Sequence, residues 1–354
     1  MNLLFRRTFL NLVTAFIAIG IACIAVGLRN TTSAGYLGVA LSQLVSMATS
    51  LTNLLLAWTR VENGVVSLER IVEITQLESE EDAHRRDAEE NERVLVETKE
   101  PAASWPESGH VEYKDVTLRY NSGSRNALDH LNIHLPAGHK LGICGRTGSG
   151  KSSTIYALLR GQPLTEGSII IDGVDLATVP LHTLRSRIST ISQDPFLLHA
   201  SISENLTLGC PEGTNDEDIW QALRDVGMEK QVDELEKKLE TQVTTDGTEF
   251  SAGERQLLCI ARVLLQKRKI VILDEASSSM DGKTDVRLLN LLKTALKGIT
   301  VISVAHRIST ISEYNQVIVM DEGRVLESDS PATLLRKSDS EFYKLAHSQG
   351  MLDN

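Results

Sequence analysis

The sequence has few cysteines, few aromatic residues and no excess of positive charge. Its four cysteines show neither the spacing of a disulfide framework nor that of a metal site, which predicts reduced thiols. The formal net charge is -11, and the absence of a basic stripe argues against a nucleic acid as partner. Hydrophobic residues still make up 42% of the 354 residues, which is enough for a sizeable core.

Two long stretches near the start contain almost no charged side chains. Residues 9–28 are apolar apart from Asn11 and Thr14, and residues 36–58 are uncharged but rich in hydroxyl and amide side chains. Each stretch is long enough to cross a bilayer. The hydroxyl and amide side chains of the second stretch predict that it packs against other helices. Arg6 and Arg7 precede the first stretch and Arg60 follows the second. These arginines predict a helical hairpin with both of its ends in the cytosol.

The first stretch has an alternative interpretation as a signal peptide. Arg6 and Arg7 precede the apolar run as the basic region of such a peptide would. The length of the run and the second apolar stretch that follows it favour a membrane helix instead.

The chain after the second stretch divides by composition. A helical period continues from Thr59 to about Glu73, and we assign residues 1–76 to a partial transmembrane domain. Residues 77–109 hold eleven acidic and four basic side chains, which predicts a solvated acidic linker. β-rich and helical runs alternate over residues 110–354, which predicts an α/β domain. Within this domain, the pattern of residues 193–266 predicts helices and no strand. The predicted strands cover residues 111–120, 131–135, 140–144, 168–171, 187–192, 270–273, 300–305 and 316–320.

A glycine-rich loop lies between a predicted strand and a predicted helix. The loop matches the phosphate-binding pattern G-x-x-x-x-G-K-[ST] through Gly145, Arg146, Thr147, Gly148, Ser149, Gly150, Lys151 and Ser152. Its glycines let backbone N–H groups surround an anion, and the following helix adds its positive end. Lys151 can then reach the β- and γ-phosphates, and the Ser152 hydroxyl can bind Mg²⁺.

Two carboxylates follow the apolar run at residues 269–273. Asp274 is placed to hold Mg²⁺ through its water shell, and Glu275 can act as the general base on the attacking water. Paired acids also begin many ordinary loops, but the upstream phosphate-binding loop favours the functional interpretation.

A second helix start has the character of an anion site. Ser251, Ala252, Gly253 and Glu254 precede an apolar helical run. Ser251 with Glu254 fits a capping box, and a serine and a glycine at a helix start can also surround an anion. The two interpretations are compatible.

Together these residues resemble the ATP-binding cassette of ABC transporters. The resemblance implies a P-loop ATPase cassette with a RecA-like core, an antiparallel β subdomain and an inserted helical subdomain, using ATP and Mg²⁺. Residues 250–254 resemble the signature sequence, Gln193 the Q-loop glutamine, His306 the switch histidine, and Tyr120 the aromatic residue that stacks on adenine. The implied catalytic residues are Lys151, Glu275 and His306, the metal residues are Ser152, Gln193 and Asp274, and Ser153 extends the nucleotide-binding loop.

The amino-acid sequences of several segments resemble those of the second cassette of C-family exporters of the multidrug-resistance-associated type. These segments are residues 145–153, residues 67–71 and Trp105-Pro106. In that family two cassettes enclose two ATP molecules, and each signature serves the phosphate-binding loop of the other cassette. Phe250 stands where Leu is commoner and Glu254 where Gln is usual. The carboxylate can weaken the partner's anion site or simply cap the helix.

The resemblance implies ATP hydrolysis that drives export of a small molecule. Only the last two helices of the family's membrane domain are matched, so we expect partners: the remaining helices and a second cassette, in a lipid bilayer. It implies a multi-pass protein of the plasma membrane or an internal membrane, with its cassette in the cytosol. The alternatives are a nucleotide-sensing regulatory cassette and a truncated fragment without transport activity. A chromosome-type ATPase needs a long coiled coil, for which the separation of 99 positions between Lys151 and Phe250 leaves no room.

Overall fold

The structure is a computed structural model of the chain. It describes residues 3–27, 34–82, 98–120, 125–211, 213–243, 250–274, 295–305 and 307–351. The chain divides into two compact units, Met1–Ser79 and Glu80–Asn354.

The first unit consists of two helices that contact each other, α1 (Leu3–Gly27) and α2 (Ala34–Thr75). Within the described residues, one helical stretch, Gly38–Thr75, has the length and apolar character needed to cross a membrane, and α1 holds the shorter apolar stretch Ala15–Ile24. Apolar side chains of α2 lie exposed on its surface. The second apolar stretch therefore continues as one helix to Thr75, as the helical period predicts.

The second unit is built from strands and short helices. Its strands in the described residues are β1 (Val111–Leu118), β2 (Leu128–Leu135), β3 (Lys140–Gly145), β4 (Glu166–Ile171), β5 (Val174–Asp175), β6 (Ile188–Ile191), β7 (Ile270–Asp274), β8 (Thr300–Val304), β9 (Gln316–Asp321) and β10 (Arg324–Asp329). Its described α-helices are Lys151–Leu158, Leu181–Ser186, Ile202–Thr207, Asp216–Val226, Glu229–Asp233, Ala252–Gln266, Ile308–Ile311, Pro331–Leu335 and Glu341–Ser348. Short 3-10 turns cover Leu176–Thr178 and Lys238–Glu240.

The strands form two sheets. The antiparallel sheet has the order β2-β1-β4-β5, and the larger sheet has the order β10-β9-β3-β8-β7-β6. In the larger sheet β9, β3, β8, β7 and β6 run parallel, and β10 is antiparallel to β9. The carboxyl ends of the parallel strands therefore meet at one edge, which is where α/β sheets bind ligands.

A tight hairpin closes the antiparallel sheet. Asp172 and Gly173 connect β4 to β5, and both have positive φ angles, of 48° and 80°. Two successive positive φ angles match the twist of a two-residue hairpin. The Asp-Gly pair is a sequence typical of that turn, so the local sequence itself specifies the connection.

Apolar side chains join the layers. One cluster packs the antiparallel sheet on the larger sheet and includes Leu118, Leu141 and Ile302. A second cluster packs the inserted helices against the other face and includes Leu223 and Leu258. The expectation that residues 193–266 form helices is confirmed in the described residues, where the only β pairing is an isolated bridge between Ser201 and Gln242. The α/β cassette with an antiparallel β subdomain and a helical insertion is thus confirmed.

Described parts of the acidic segment 77–109 contact the cassette. Glu80 forms an ion pair with Arg185 at 2.6 Å, and Glu81 Oε1 accepts a hydrogen bond from the Leu181 amide at 2.8 Å. The side chain of Trp105 is 5% exposed, and its Nε1 donates to the Ile171 carbonyl at 3.0 Å. These described positions are therefore fixed on the cassette, whereas the sequence predicts a solvated linker.

Candidate functional site

The phosphate-binding loop follows β3 and leads into the helix Lys151–Leu158. The Lys151 side chain is only 6% exposed. Its Nζ donates hydrogen bonds to the carbonyl oxygens of Gly145 and Arg146, both at 3.0 Å. The ammonium group is therefore folded back across the loop, inside the turn that an anion would enter.

Two glycines in this loop are required by its close approach to neighbouring backbone. Gly145 has a φ of 146°, and a Cβ there would lie 2.2 Å from the Met320 carbonyl oxygen on β9. Gly150 has a φ of 102°, and a Cβ there would lie 2.7 Å from the Ala127 carbonyl oxygen. A side chain at either position would force the neighbouring backbone to shift, because real Cβ atoms do not approach backbone so closely.

The start of the Lys151–Leu158 helix is open to an anion. Its N-cap is Gly150, and no described side chain caps it. The first amides of a helix lack partners within the helix, and the helix dipole adds positive charge there. The Ser149 hydroxyl is buried and has no hydrogen-bond partner in the described part of the chain. Uncapped amides, a buried hydroxyl and an ammonium group together fit a phosphate.

Tyr120 lies beside the start of this helix, just after β1. Its hydroxyl donates a hydrogen bond to Ser153 Oγ at 2.9 Å, and its ring centroid lies 5.9 Å from that of Tyr156. The Tyr120 side chain is 43% exposed. The structure therefore brings Tyr120 to the phosphate-binding loop with part of its ring free in solvent, as stacking on a base requires.

The remaining predicted site residues follow parallel strands. Asp274 ends β7 and is half-buried, and Gln193 lies exposed two residues after β6. Because β3, β6 and β7 run parallel in one sheet, Gln193, Asp274 and the phosphate-binding loop share its carboxyl edge. Carboxylate, amide and hydroxyl oxygens at one edge suit Mg²⁺. Glu275 and His306, the predicted base and switch histidine, lie outside the described residues.

The predicted signature begins the helix Ala252–Gln266. Ser251 is its N-cap, and both halves of a capping box with Glu254 are present. The signature residues Ala252 and Gly253 form the first turn and are partly exposed. This helix start therefore has an exposed face on which an anion can lie, although a carboxylate sits in the same turn.

Three residues that the sequence does not single out hold the site together. Gln256 Nε2 donates to the Ser192 carbonyl at 3.2 Å, which ties the signature helix to the Gln193 segment. Arg262 Nη1 donates to the Phe196 carbonyl at 3.1 Å. Gln231 Nε2 donates to Glu254 Oε1 at 2.8 Å. No local pattern marks these side chains, because each acts on a segment at least 23 residues away.

The cysteines of the structure agree with the prediction of reduced thiols. All four are free. Cys144 lies on β3 directly before the phosphate-binding loop, and burial raises the pKa of its thiol to about 12 although Lys151 opposes the shift. The thiol is therefore neutral and unreactive at physiological pH.

Comparison with known proteins shows which family the cassette of this chain resembles. Residues 128–278 match the family model described as ABC transporter. Over 337 residues the chain is 37% identical to ABC multidrug transporter B of Aspergillus fumigatus, covering 95% of this chain and 22% of that protein. It is 36% identical to ABC transporter C family member 13 of Oryza sativa, covering 87% of this chain and 20% of that protein. It is 35% identical to ATP-binding cassette sub-family C member 3 of Rattus norvegicus, covering 91% and 20%.

A solved structure supports the same relationship. The chain matches a bacterial Atm1-family ABC exporter with ATP bound at a TM-score of 0.68 and 25% identity, covering 97% of this chain and 58% of that one. The chain spans about a fifth of the length of the curated relatives it matches. The likeness thus covers both the two N-terminal helices and the α/β unit of this chain but only part of each relative.

Proposed function

Because the chain carries the ATP-binding cassette of the ABC transporter family, we propose that it binds and hydrolyses ATP to drive export of a small molecule. The observation that carries the proposal is the phosphate-binding loop. Its Lys151 ammonium group, its uncapped helix start and the Ser149 hydroxyl, which has no hydrogen-bond partner among the described residues, all lie within this one loop and at the start of its helix.

Different residues of this chain have different roles in the proposed ATP hydrolysis. Tyr120 stacks on the adenine, and the loop from Gly145 to Ser153 holds the phosphates. Ser152, Gln193 and Asp274 hold Mg²⁺, which neutralises charge on the phosphates. Glu275 takes a proton from the attacking water, and His306 keeps that water in line with the γ-phosphate.

The signature of this chain acts in a second site. We propose that Ser251 to Glu254 face the phosphates bound by another cassette, whose own signature completes the site at Lys151. ATP binding closes the pair, and hydrolysis reopens it. The partners are that second cassette and further membrane helices, either in a longer chain or in another subunit.

The two helices of the first unit anchor this assembly. We propose that α1 and α2 both span the bilayer, with the cassette on the cytosolic side where ATP is available. The exposed apolar surface of α2 supports this placement, because lipid is the environment that such a surface requires.

Two variants test the proposal in the assembled transporter. Lys151→Ala removes the ammonium group and should abolish ATP binding and turnover. Glu275→Gln removes the base but no phosphate ligand, so it should keep ATP binding and lose turnover. Lys344→Ala is the matched control, because the exposed Lys344 side chain forms its ion pair with Glu341 of its own helix, away from the phosphate-binding loop in sequence.

The outcomes separate the rival functions. Normal hydrolysis in either site variant would overturn the proposal. Tight ATP binding by the unmodified protein with no transported compound and little turnover would favour a nucleotide-sensing regulatory cassette instead. The Lys344→Ala variant must retain activity in either case.

A further inference from the structure

Three potential metal ligands lie together on the antiparallel sheet. His110 directly precedes β1, Glu112 lies on β1, and His134 lies on β2 as the cross-strand partner of Glu112. Side chains two residues apart in extended backbone point to the same face, and cross-strand partners lie side by side. Within the described residues, no other group of His, Cys, Asp or Glu brings three such ligand atoms together.

The distances between the three ligand atoms match those around a small metal ion. His110 Nε2 lies 3.4 Å from His134 Nδ1 and 3.7 Å from Glu112 Oε1, and His134 Nδ1 lies 3.2 Å from the same Oε1. Tetrahedral zinc has ligand bonds of about 2.0–2.1 Å, which separate its ligand atoms by about 3.3–3.4 Å. The observed triangle therefore needs only small adjustments to close around one ion.

Hydrogen bonds alone satisfy this triangle incompletely. His134 Nδ1 lies within reach of both His110 Nε2 and Glu112 Oε1. A neutral imidazole has one N–H, which points in one direction only. A cation at the centre of the triangle accepts electron pairs from both ring nitrogens and the carboxylate at once.

Neighbouring groups hold two of the three ligands in position. Lys114 Nζ binds Glu112 Oε2 at 2.9 Å, which leaves Oε1 directed at the two rings. The His110 amide donates to Asp172 Oδ1 at 2.8 Å, and the Gly109 amide donates to Asp172 Oδ2 at 3.0 Å. Such outer contacts orient the ligands of protein metal sites.

Exposure leaves room for a further ligand. The side chains of His110 and Glu112 are 29% and 23% exposed, and that of His134 is 65% exposed. A tetrahedral ion held by these three groups would thus keep one position open to water. Two imidazoles and one carboxylate suit zinc, whereas Mg²⁺ and Ca²⁺ prefer oxygen ligands.

We propose that His110, Glu112 and His134 form a zinc site that ties β1 to β2. The site lies at the opposite end of β1 from Tyr120, about 25 Å along the strand by its rise per residue, so it is separate from the nucleotide site. Since the ligands come from two segments of the sheet, zinc that binds only the folded sheet stabilises it by an amount that grows with the logarithm of the free zinc concentration above the dissociation constant.

Metal titration of the full chain tests the proposal. The protein is purified in detergent without a histidine tag, stripped with chelator, and titrated with Zn²⁺ in the absence of nucleotide. We expect one zinc ion per chain and a rise in melting temperature, with no such rise on adding Mg²⁺ at the same concentration. Failure to bind zinc stoichiometrically would overturn the proposal whatever the ATPase activity.

Variants locate the zinc. His134→Ala and Glu112→Gln should weaken zinc binding by more than about tenfold, which is the loss expected even for an outer partner of a metal ligand. His130→Ala is the matched control. His130 lies on the same strand, and its Nδ1 contacts a carboxylate, Asp115 Oδ1, at 2.9 Å.

The control keeps the test decisive. Zinc binding that survives in His134→Ala and Glu112→Gln would assign the ion elsewhere in the chain and refute the site. Loss in His130→Ala to the same degree would show a general effect of β2 and also count against it. Because His134 is largely exposed, its variant should melt near the unmodified protein when both are free of metal.

Discussion

Glu254 Oε2 accepts a hydrogen bond from the backbone amide of Ser251 at 2.7 Å. In return, the Ser251 hydroxyl accepts the Glu254 amide at 3.3 Å. The carboxylate that stands where the family usually has glutamine is therefore engaged in capping its own helix. Its second oxygen accepts a hydrogen bond from Gln231. The structure shows capping, and the charge itself still lies in the first turn of the signature helix.

Removing that charge should improve the site of the partner cassette. Glu254→Gln keeps a side chain that can complete the capping box, so the fold should persist. It also removes a negative charge near the phosphate that we propose binds at this helix start. Helix-terminal charge effects of about 0.3–1 kcal/mol correspond to about a two- to fivefold gain in ATP affinity. ATP titration of the assembled transporter measures it.

A second capping box supplies the control for this change. Glu204 accepts the Ser201 amide at 2.8 Å in the same arrangement on another helix. Glu204→Gln should leave ATP affinity unchanged, because it lies outside the signature. Equal gains in both variants would show that the effect is not specific to the signature.

Acid should weaken the cap of the signature helix. Burial raises the pKa of the Glu254 carboxyl, but hydrogen bonds from the Ser251 amide, Gln231 and the Ser251 hydroxyl outweigh it and leave the pKa below its usual value. A carboxyl whose folded pKa is lowered stabilises the fold above its unfolded pKa of about 4.3 and ceases to do so as pH falls through the folded pKa.

Comparison of melting temperatures checks this dependence. The unmodified chain should lose stability relative to Glu254→Gln as pH falls from 5 to about 3, because only the unmodified chain titrates at this position. A difference between the two proteins that stays constant over this range would contradict the lowered pKa.

The phosphate-binding loop offers a matched pair of glycine variants. Gly145→Ala places a Cβ 2.2 Å from the Met320 carbonyl, whereas Gly148→Ala meets nothing within 4 Å. Both have positive φ angles, so the second variant should cost about 1–2 kcal/mol of backbone strain. The first adds about 1–3 kcal/mol of overpacking to its own strain.

Thermal unfolding of the full chain compares the two. Gly145→Ala should melt lower than Gly148→Ala by several degrees, since 1 kcal/mol shifts the melting temperature by about 2–4 °C in chains of about 150–250 residues. Equal melting temperatures would mean that β9 moves aside at no cost.

Arg262 should matter more for stability than other surface arginines. Its guanidinium donates to the Asn205 carbonyl at 2.7 Å and to the Phe196 carbonyl at 3.1 Å, which holds the segment after Gln193 to the signature helix. Arg262→Ala should lower the free energy of unfolding by about 1–3 kcal/mol, because the bonds are charge-assisted.

Arg224→Ala is the control for Arg262. Among the described residues, the Arg224 side chain bonds to the side chains of Gln221 and Glu229 on an exposed surface, so its loss should cost less than about 1 kcal/mol. Denaturant titration of each variant gives the two values. If the Arg262 variant is no less stable than the Arg224 variant, Arg262 does not stabilise the packing of the segment after Gln193 on the signature helix.

Much of the candidate site could be predicted because its signals are local. The loop from Gly145 to Ser152 can be identified from residue types at fixed spacing. The buried strands β3, which leads into this loop, and β7, which ends at Asp274, are apolar runs. The sequence does not predict the strand β10, since Arg324–Asp329 is an edge strand with alternating exposure and polar residues. Glu275 and His306 remain predictions, because they lie outside the described residues.

The sequence by itself determined the strand, glycine-rich loop and helix around Lys151, the helical insertion and the Asp-Gly hairpin, because neighbouring residues specify each of them. Only the tertiary structure decided which distant groups meet. The register of β1 against β2 brings His134 beside Glu112, and the packing of the signature helix brings Arg262 to Phe196. Such contacts depend on how sheets and helices pack, and no spacing along the chain encodes them.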